Sequence, residues 1–93
     1  MEGGYRMEFV PRAKREFANL ARPIQKRVAR AIDALARRPR PAGAKLLSGS
    51  GAERIWRIRV GDHRVLYQIQ DERLVVLVIR IAHRRDVYRS ATG

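Results

Sequence analysis

Three arginines alternate with apolar residues in the stretch IWRIRVGDHRVLYQI, which covers residues 55–69. The period of two predicts a β-hairpin that carries Arg57 and Arg59 on its first strand and Arg64 on its second. A guanidinium group binds phosphate oxygens in a fixed geometry and keeps its proton at ordinary pH. These residues therefore suit the binding of phosphate and the stabilisation of developing negative charge.

A two-residue turn at 61–62, with Gly61 at the first central position as a type II′ turn prefers, sets the register of this hairpin. Arg59 then lies opposite Arg64, and Arg57 shares their side of the sheet, which we call the arginine face. The other face is predicted to pack under helices and carries Trp56, Ile58, Val60, Val65, Tyr67 and Ile69. Opposed like charges cost up to ~1 kcal/mol, so either a function or a solvated basic surface must explain the arginine face.

Further candidates follow the last predicted strand: His83, Arg84 and Tyr88. The end of an interior strand lies near the turns of its neighbours, so these side chains are expected near the hairpin arginines. Cations that bind phosphate, a ring that stacks on a base and an imidazole that titrates near neutral pH together suit a nucleic-acid site. Each also has an ordinary alternative, such as a surface histidine or a tyrosine that covers the core.

Composition narrows the other possibilities. The chain has 93 residues, a net charge of +12 and no cysteine. This charge predicts a polyanion or an acidic protein as partner. The lack of cysteine excludes disulfides, thiolate metal sites and a cysteine nucleophile, and it fits a reducing cytosol, so we expect a cytoplasmic protein. With two histidines, scattered acids and no phosphate-binding glycine loop, we expect no metal and no small-molecule cofactor.

The apolar periodicity predicts one domain over residues 1–93 with the element order β-α-α-β-β-β. No run of 18 apolar residues occurs, so no membrane span is expected. A disordered lead at 1–4 precedes a strand at 5–10, a helix at 11–21, a helix from Pro23 that RRPRPAG at 37–43 stops, and strands at 53–60, 63–70 and 73–82. The result is an α+β fold in which a helical hairpin packs on one face of a small, mostly antiparallel sheet.

The element order, the motif WRIRVGDHRVLYQI and the closing VIRIAHRRDVYR together resemble the RelE/ParE superfamily of bacterial type II toxins, and the RelE branch in particular. The similarity covers about residues 5–90. It implies the RelE-like microbial RNase fold and a metal-independent endoribonuclease, an mRNA interferase that inhibits translation by cutting mRNA on the ribosome. It also implies a cognate antitoxin that binds the toxin through an acidic or amphipathic segment.

The resemblance assigns roles to the arginines. Arg57 and Arg59 stand where well-studied members have lysines, Arg64 matches a phosphate-binding arginine of the hairpin, and Arg84 matches an arginine that follows the last strand. Where lysine is the proposed base, this chain has arginine, which does not readily accept a proton. The arginines are therefore expected to bind phosphate and to stabilise transition-state charge.

The resemblance also covers the remaining two candidates. Tyr88 matches a C-terminal tyrosine that stacks on or orients the substrate base, and His83 stands where some members have lysine or histidine. Because the arginines are poor bases, the base role is expected to pass to His83 or to be weak.

Two other functions stay open. A ParE-like toxin that inhibits DNA gyrase would share the fold and need no cleavage residues, and a basic binding module would have no catalytic role. Residues 22–45 hold eight basic residues and one acid, Asp33. This segment is either part of the antitoxin contact or an ordinary solvated helix face.

Overall fold

Two helices and a five-stranded sheet make up the fold in the computed structural model, which describes residues 4–87 apart from the side chain of Ala52. The elements are β1 (Arg6–Phe9), α1 (Pro11–Ala18), α2 (Arg22–Arg37), β2 (Lys45–Ser48), β3 (Ile55–Val60), β4 (His63–Gln70) and β5 (Val75–His83). The strand order is β1-β5-β4-β3-β2, and only β1 and β5 pair in parallel. The predicted α+β class and the interior place of the last strand are confirmed.

The two helices follow directly from proline placement and apolar spacing. Both begin with a proline in their first two positions, where the missing N–H costs no helical hydrogen bond. Three residues, 19–21, separate them, so α1 ends earlier than the predicted residue 21. The side-chain amide of Gln25 joins the helices by donating to the carbonyl of Phe17 at 2.9 Å. None of the helices in the described part of the chain is long and apolar enough to cross a membrane.

The core lies between the helices and one face of the sheet, as the hairpin register predicts. α2 buries Val28, Ile32 and Leu35, and α1 buries Ala13. The sheet side of this core consists of Ile58, Val60, Val65, Tyr67, Ile69, Val76, Val78 and Ile81, with Trp56 packed against it. We call this side of the sheet the helix face.

The side chains on the arginine face are more buried than the sequence indicates. Leu66, Val75 and Val87 are buried outside the main core. Two arginines on this face, Arg57 and Arg80, are 6% and 7% exposed. A uniformly solvated basic surface is therefore ruled out for this face.

A bulge in β5 decides which side chains reach which face. Leu66 pairs with Arg80, whereas Tyr67 pairs with Val78, so Ile79 is the extra residue. Strict alternation from Val78 would place residue 80 on the helix face. The bulge instead turns Arg80 to the arginine face, and it returns residues 81 and 83 to the helix face.

The predicted element order has no strand between the second helix and residue 53, and this part of the prediction is wrong. β2 lies there as an edge strand and pairs with β3 through Lys45–Arg57 and Leu46–Trp56, after which the register shifts. All four β2 residues are exposed, so they show no buried alternation that would reveal a strand. The last strand also begins later than predicted, at residue 75, because Leu74 takes a left-handed backbone conformation with φ 53°.

Candidate nucleic-acid interface

The hairpin of β3 and β4 places two arginines opposite each other. Gly61 has a φ of 61°, and Asp62 has no positive φ, which fits a type II′ turn. The observed register pairs Arg59 with Arg64 and confirms the predicted one. Arg59 is exposed and Arg64 is half-buried. The Nη1 of Arg64 donates to the carbonyl of His63 at 3.2 Å, which ties this guanidinium to the turn end of the hairpin.

Arg57 lies two residues back on the same face and is buried. Its Nε has no hydrogen-bond partner among the residues that the structure describes. A buried charged donor without a partner is costly, so an anionic ligand is the natural complement of this guanidinium. Arg57 and Arg59 also line a cavity of about 440 Å³ beside α2. Arg64 is not among the residues that line this cavity.

Arg84 lies beside the hairpin turn, where the sequence predicts it. Its backbone N–H donates to the carbonyl of Asp62 at 2.7 Å. The N–H groups of Asp86 and Val87 both donate to the carbonyl of His83, which forms a single helical turn after β5. Arg84 is exposed and Val87 is fully buried, so the turn is anchored at one end and presents its cation at the other.

His83 lies at the same end of the sheet but on the helix face, because of the bulge in β5. It pairs with His63 across the strands, and the two rings meet edge to face with centroids 5.6 Å apart. Burial, and then the charge of His83, lower the pKa of His63, whose Nδ1 is buried without a partner among the described residues. The Nδ1 of His83 accepts the backbone N–H of Arg85 at 3.2 Å.

The other predicted site residue, Tyr88, lies outside the described residues. Within the described range 4–87, no three histidine, aspartate or glutamate side chains form a group that could hold a metal ion.

Two further arginines belong to this region, and sequence reasoning did not assign them to it. A Cβ placed on Gly61 would lie 3.1 Å from Nη1 of Arg27, so this α2 guanidinium lies against the hairpin turn. Arg80 lies on the arginine face opposite Leu66. Only the helix-to-turn packing reveals Arg27, and only the bulge reveals Arg80. No local sequence signal marks either residue.

Known proteins are similar to this chain in sequence and in fold. Residues 7–88 match the family model of the ParE toxin of the type II toxin–antitoxin system parDE. Toxin RelG of Mycobacterium tuberculosis is 34% identical over 89 residues, which cover 91% of this chain and 97% of RelG. A putative RelE-like toxin protein of Escherichia coli is 29% identical over 90 residues, which cover 95% of this chain and 94% of that protein.

Solved structures of related proteins have the same fold as this chain. A chain of the archaeal RelE–RelB complex from Pyrococcus horikoshii OT3 superposes with a TM-score of 0.78 at 24% identity, over 87% of this chain and 96% of that chain. The isolated E. coli RelE toxin superposes with a TM-score of 0.74 at 27% identity, over 95% of each chain. This chain belongs to the ParE toxin family of type II toxin–antitoxin systems, within the RelE/ParE superfamily.

Proposed function

We propose that this toxin is a ribosome-dependent mRNA endoribonuclease. The observation that supports the proposal is the position of three arginines at one end of the sheet. Arg59 and Arg64 are opposed across β3 and β4, and Arg84 follows β5 beside the turn that joins those strands. A phosphate bound there would offset the repulsion between the opposed arginines and gain charge-assisted hydrogen bonds.

The proposed reaction is attack of an RNA 2′-oxygen on the adjacent phosphorus. The O2′–P bond forms, the P–O5′ bond breaks, and the products are a 2′,3′-cyclic phosphate and a 5′-hydroxyl. Negative charge builds on the phosphoryl oxygens, where Arg59, Arg64 and Arg84 stabilise it. The ribosome holds the mRNA in the attacking geometry, and such positioning can contribute ~7 kcal/mol or more.

His83 shares the end of the sheet with these arginines but lies on the helix face. Its Nδ1 accepts the backbone N–H of Arg85, so the nitrogen that could take a proton is already engaged. In the proposed reaction the 2′-hydroxyl proton therefore passes to water, and the departing 5′-oxygen takes its proton from water.

Cleavage on purified ribosomes tests the proposal. Arg64→Ala and Arg84→Ala are each expected to lower kcat/KM at least ~100-fold, the loss of one transition-state charge contact, and to relieve toxicity without unfolding the protein. The matched control is Arg73→Ala, which removes one exposed arginine at the opposite end of β4, roughly 25 Å away for eight residues of strand. Folded variants that cut mRNA like the wild type would contradict this site.

The match to the ParE family keeps gyrase inhibition as the second candidate. Brief expression followed by primer extension separates the two functions. Codon-phased mRNA cuts support the endoribonuclease. A DNA-damage response with intact mRNA supports gyrase inhibition and removes the need for cleavage residues.

An antitoxin is the proposed protein partner, since the structures of relatives from M. tuberculosis and E. coli are toxin–antitoxin complexes. The net charge of +12 favours an acidic, amphipathic antitoxin segment. The cavity of about 440 Å³ is a suitable groove, because both apolar and cationic residues line it. Its lining consists of Ala31, Ala34, Leu35, Pro41, Gly43, Lys45, Arg57, Ile58 and Arg59. An apolar side chain would fill this groove while a neighbouring carboxylate reaches the guanidinium of Arg57, whose Nε has no partner among the described residues.

Co-expression with a cognate antitoxin tests this contact. Ala34→Asp places a like charge in the groove and is expected to weaken rescue by the antitoxin, whereas Ala18→Asp on α1 lies outside the groove and should not. Equal rescue of both variants would exclude the groove as the antitoxin site.

A further inference from the structure

We infer that Glu16 and Arg80 are positioning residues that hold the Arg84 turn in its working geometry. The inference rests on the proposed function, because it assigns a purpose to the turn that carries Arg84. The relevant feature is a gap in the sheet at the edge of β5. β1 pairs with β5 only over Val75–Val78, and its last ladder contact is the N–H of Val10 to the carbonyl of Val78. From residue 79 onward no strand formed by residues 4–87 covers this edge of β5.

Glu16 of α1 fills that gap with both carboxylate oxygens. Its Oε1 accepts the backbone N–H of Ile81 at 2.7 Å, so it replaces the missing strand. Its Oε2 accepts Nε of Arg80 at 2.7 Å. The Arg80 side chain is only 8% exposed and that of Glu16 19%, so this ion pair is held in a largely dry environment. Arg12 also approaches the same oxygen, at 3.4 Å from a more exposed position.

The other end of Arg80 holds the turn that follows β5. Its Nη1 donates to the carbonyl of Val87 at 2.8 Å and, more weakly, to that of Asp86 at 3.4 Å. These carbonyls belong to the turn whose N–H groups bond to the carbonyl of His83, and whose first residue, Arg84, bonds to the hairpin turn. A continuous path thus runs from α1 through Glu16 and Arg80 to the backbone around Arg84.

Arg80 therefore differs in role from the other residues of the arginine face. Its Nε and Nη1 are committed to a carboxylate and to two carbonyls within the chain, so it is not placed to bind a phosphate. Its effect on cleavage has to pass through Arg84. Such an indirect effect predicts non-additivity, since removing Arg84 should also remove the consequence of disturbing Arg80.

Glu16→Gln and Arg80→Lys are the variants that test the path, since both keep the size of the side chain. Arg12→Gln is the matched control on the same helix. The first readout needs no RNA: hydrogen exchange at the amides of Arg84, Asp86 and Val87. Both variants should raise exchange there roughly tenfold or more, as expected for one lost charge-assisted hydrogen bond. Exchange in the hairpin of β3 and β4 should stay unchanged, and Arg12→Gln should have little effect.

The second readout is mRNA cleavage in a double-mutant cycle. Glu16→Gln is expected to lower kcat about tenfold with little change in KM, and to have no further effect in the Arg84→Ala background. Unchanged turn exchange, or equal losses in both backgrounds, would overturn the inference. If Arg84→Ala alone cleaves normally, the proposed function is at fault, and hydrogen exchange still decides whether Glu16 and Arg80 hold the turn.

Discussion

Arg57 and Arg80 are both buried on the arginine face, yet their surroundings are opposite. Arg80 donates to Glu16 and to the carbonyl of Val87, so the chain satisfies it. Arg57 is equally buried, but its Nε has no partner within the described residues. A fold gains nothing from an unsatisfied buried cation, so the comparison separates a guanidinium that residues 4–87 satisfy from one whose Nε they leave without a partner. Inspection of residue type alone would treat the two as equivalent.

The largest expected effect comes from removing the satisfied arginine. Arg80→Met should lower the free energy of unfolding by ~3 kcal/mol, because it leaves the half-buried carboxylate of Glu16 with only the longer and more exposed contact to Arg12. Urea denaturation measures this value, which is a large part of the total stability of a domain of this size. The more conservative Arg80→Lys should lose less, since a positive charge remains near Glu16.

Arg57→Met is the control that can break the comparison. It removes a donor that has no partner, and a flexible apolar side chain can fill the space. Its unfolding free energy should stay within ~1 kcal/mol of the wild type or rise, while mRNA cleavage falls. A loss of stability as large as that of Arg80→Met would mean that Arg57 is structural as well.

The buried hydroxyl of Tyr67 offers the same comparison for a neutral group, with a smaller expected change in the free energy of unfolding. The hydroxyl of Tyr67, on the helix face, donates to the carbonyl of Pro39 at 2.7 Å, and burial raises the pKa of Tyr67 to about 12. The hydroxyl therefore stays a donor at any working pH. Tyr67→Phe should cost ~1–2 kcal/mol, because the buried carbonyl of Pro39 loses its partner.

Thermal unfolding at matched concentration measures the Tyr67 effect. Tyr5→Phe is the control, since its hydroxyl donates to Asp71 at the surface. That bond is exposed and should contribute under ~0.5 kcal/mol. Equal losses in the two variants would show that burial does not set the cost of an unmet hydrogen bond in this fold.

The sequence predicted the features that depend on local pattern. The turn at Gly61 fixed the register of β3 and β4, and with it the opposition of Arg59 and Arg64, because alternation within a hairpin leaves few choices. The same pattern could not show that Arg57 is buried, since burial of the arginine face depends on packing between distant parts of the chain.

The misses have specific physical causes. The bulge at Ile79 reverses the sheet face on which each later residue of β5 lies, and no residue type in the sequence predicts it. It decides that Arg80 joins the arginine face and that His83 faces His63. β2 was missed because an exposed edge strand of four residues carries no buried alternation. The bulge and the edge strand both depend on tertiary packing, so they cannot be predicted from the local pattern of a single sequence.

The smallest expected effect concerns the second buried atom without a partner, Nδ1 of His63. Burial is the main cause of its lowered pKa, the charge of His83 adds to it, and Asp62 opposes both. The guanidinium of Arg27 also lies beside the same turn. With the folded pKa below the ordinary value near ~6.5, the unfolded chain binds more protons just below that pH. Stability should therefore fall as the pH drops through this window.

His63→Gln should flatten this part of the pH profile of unfolding. Chemical denaturation between pH 7.5 and pH 5 measures it, and the change should be smaller than the loss in Tyr67→Phe because His63 is only half-buried. His83→Gln removes the neighbouring charge and should weaken the same slope without abolishing it, since burial remains. A wild-type slope of the opposite sign would mean that His63 gains a partner when protonated. The contrast between buried groups with and without a hydrogen-bond partner would then apply to Arg57 but not to the imidazole of His63.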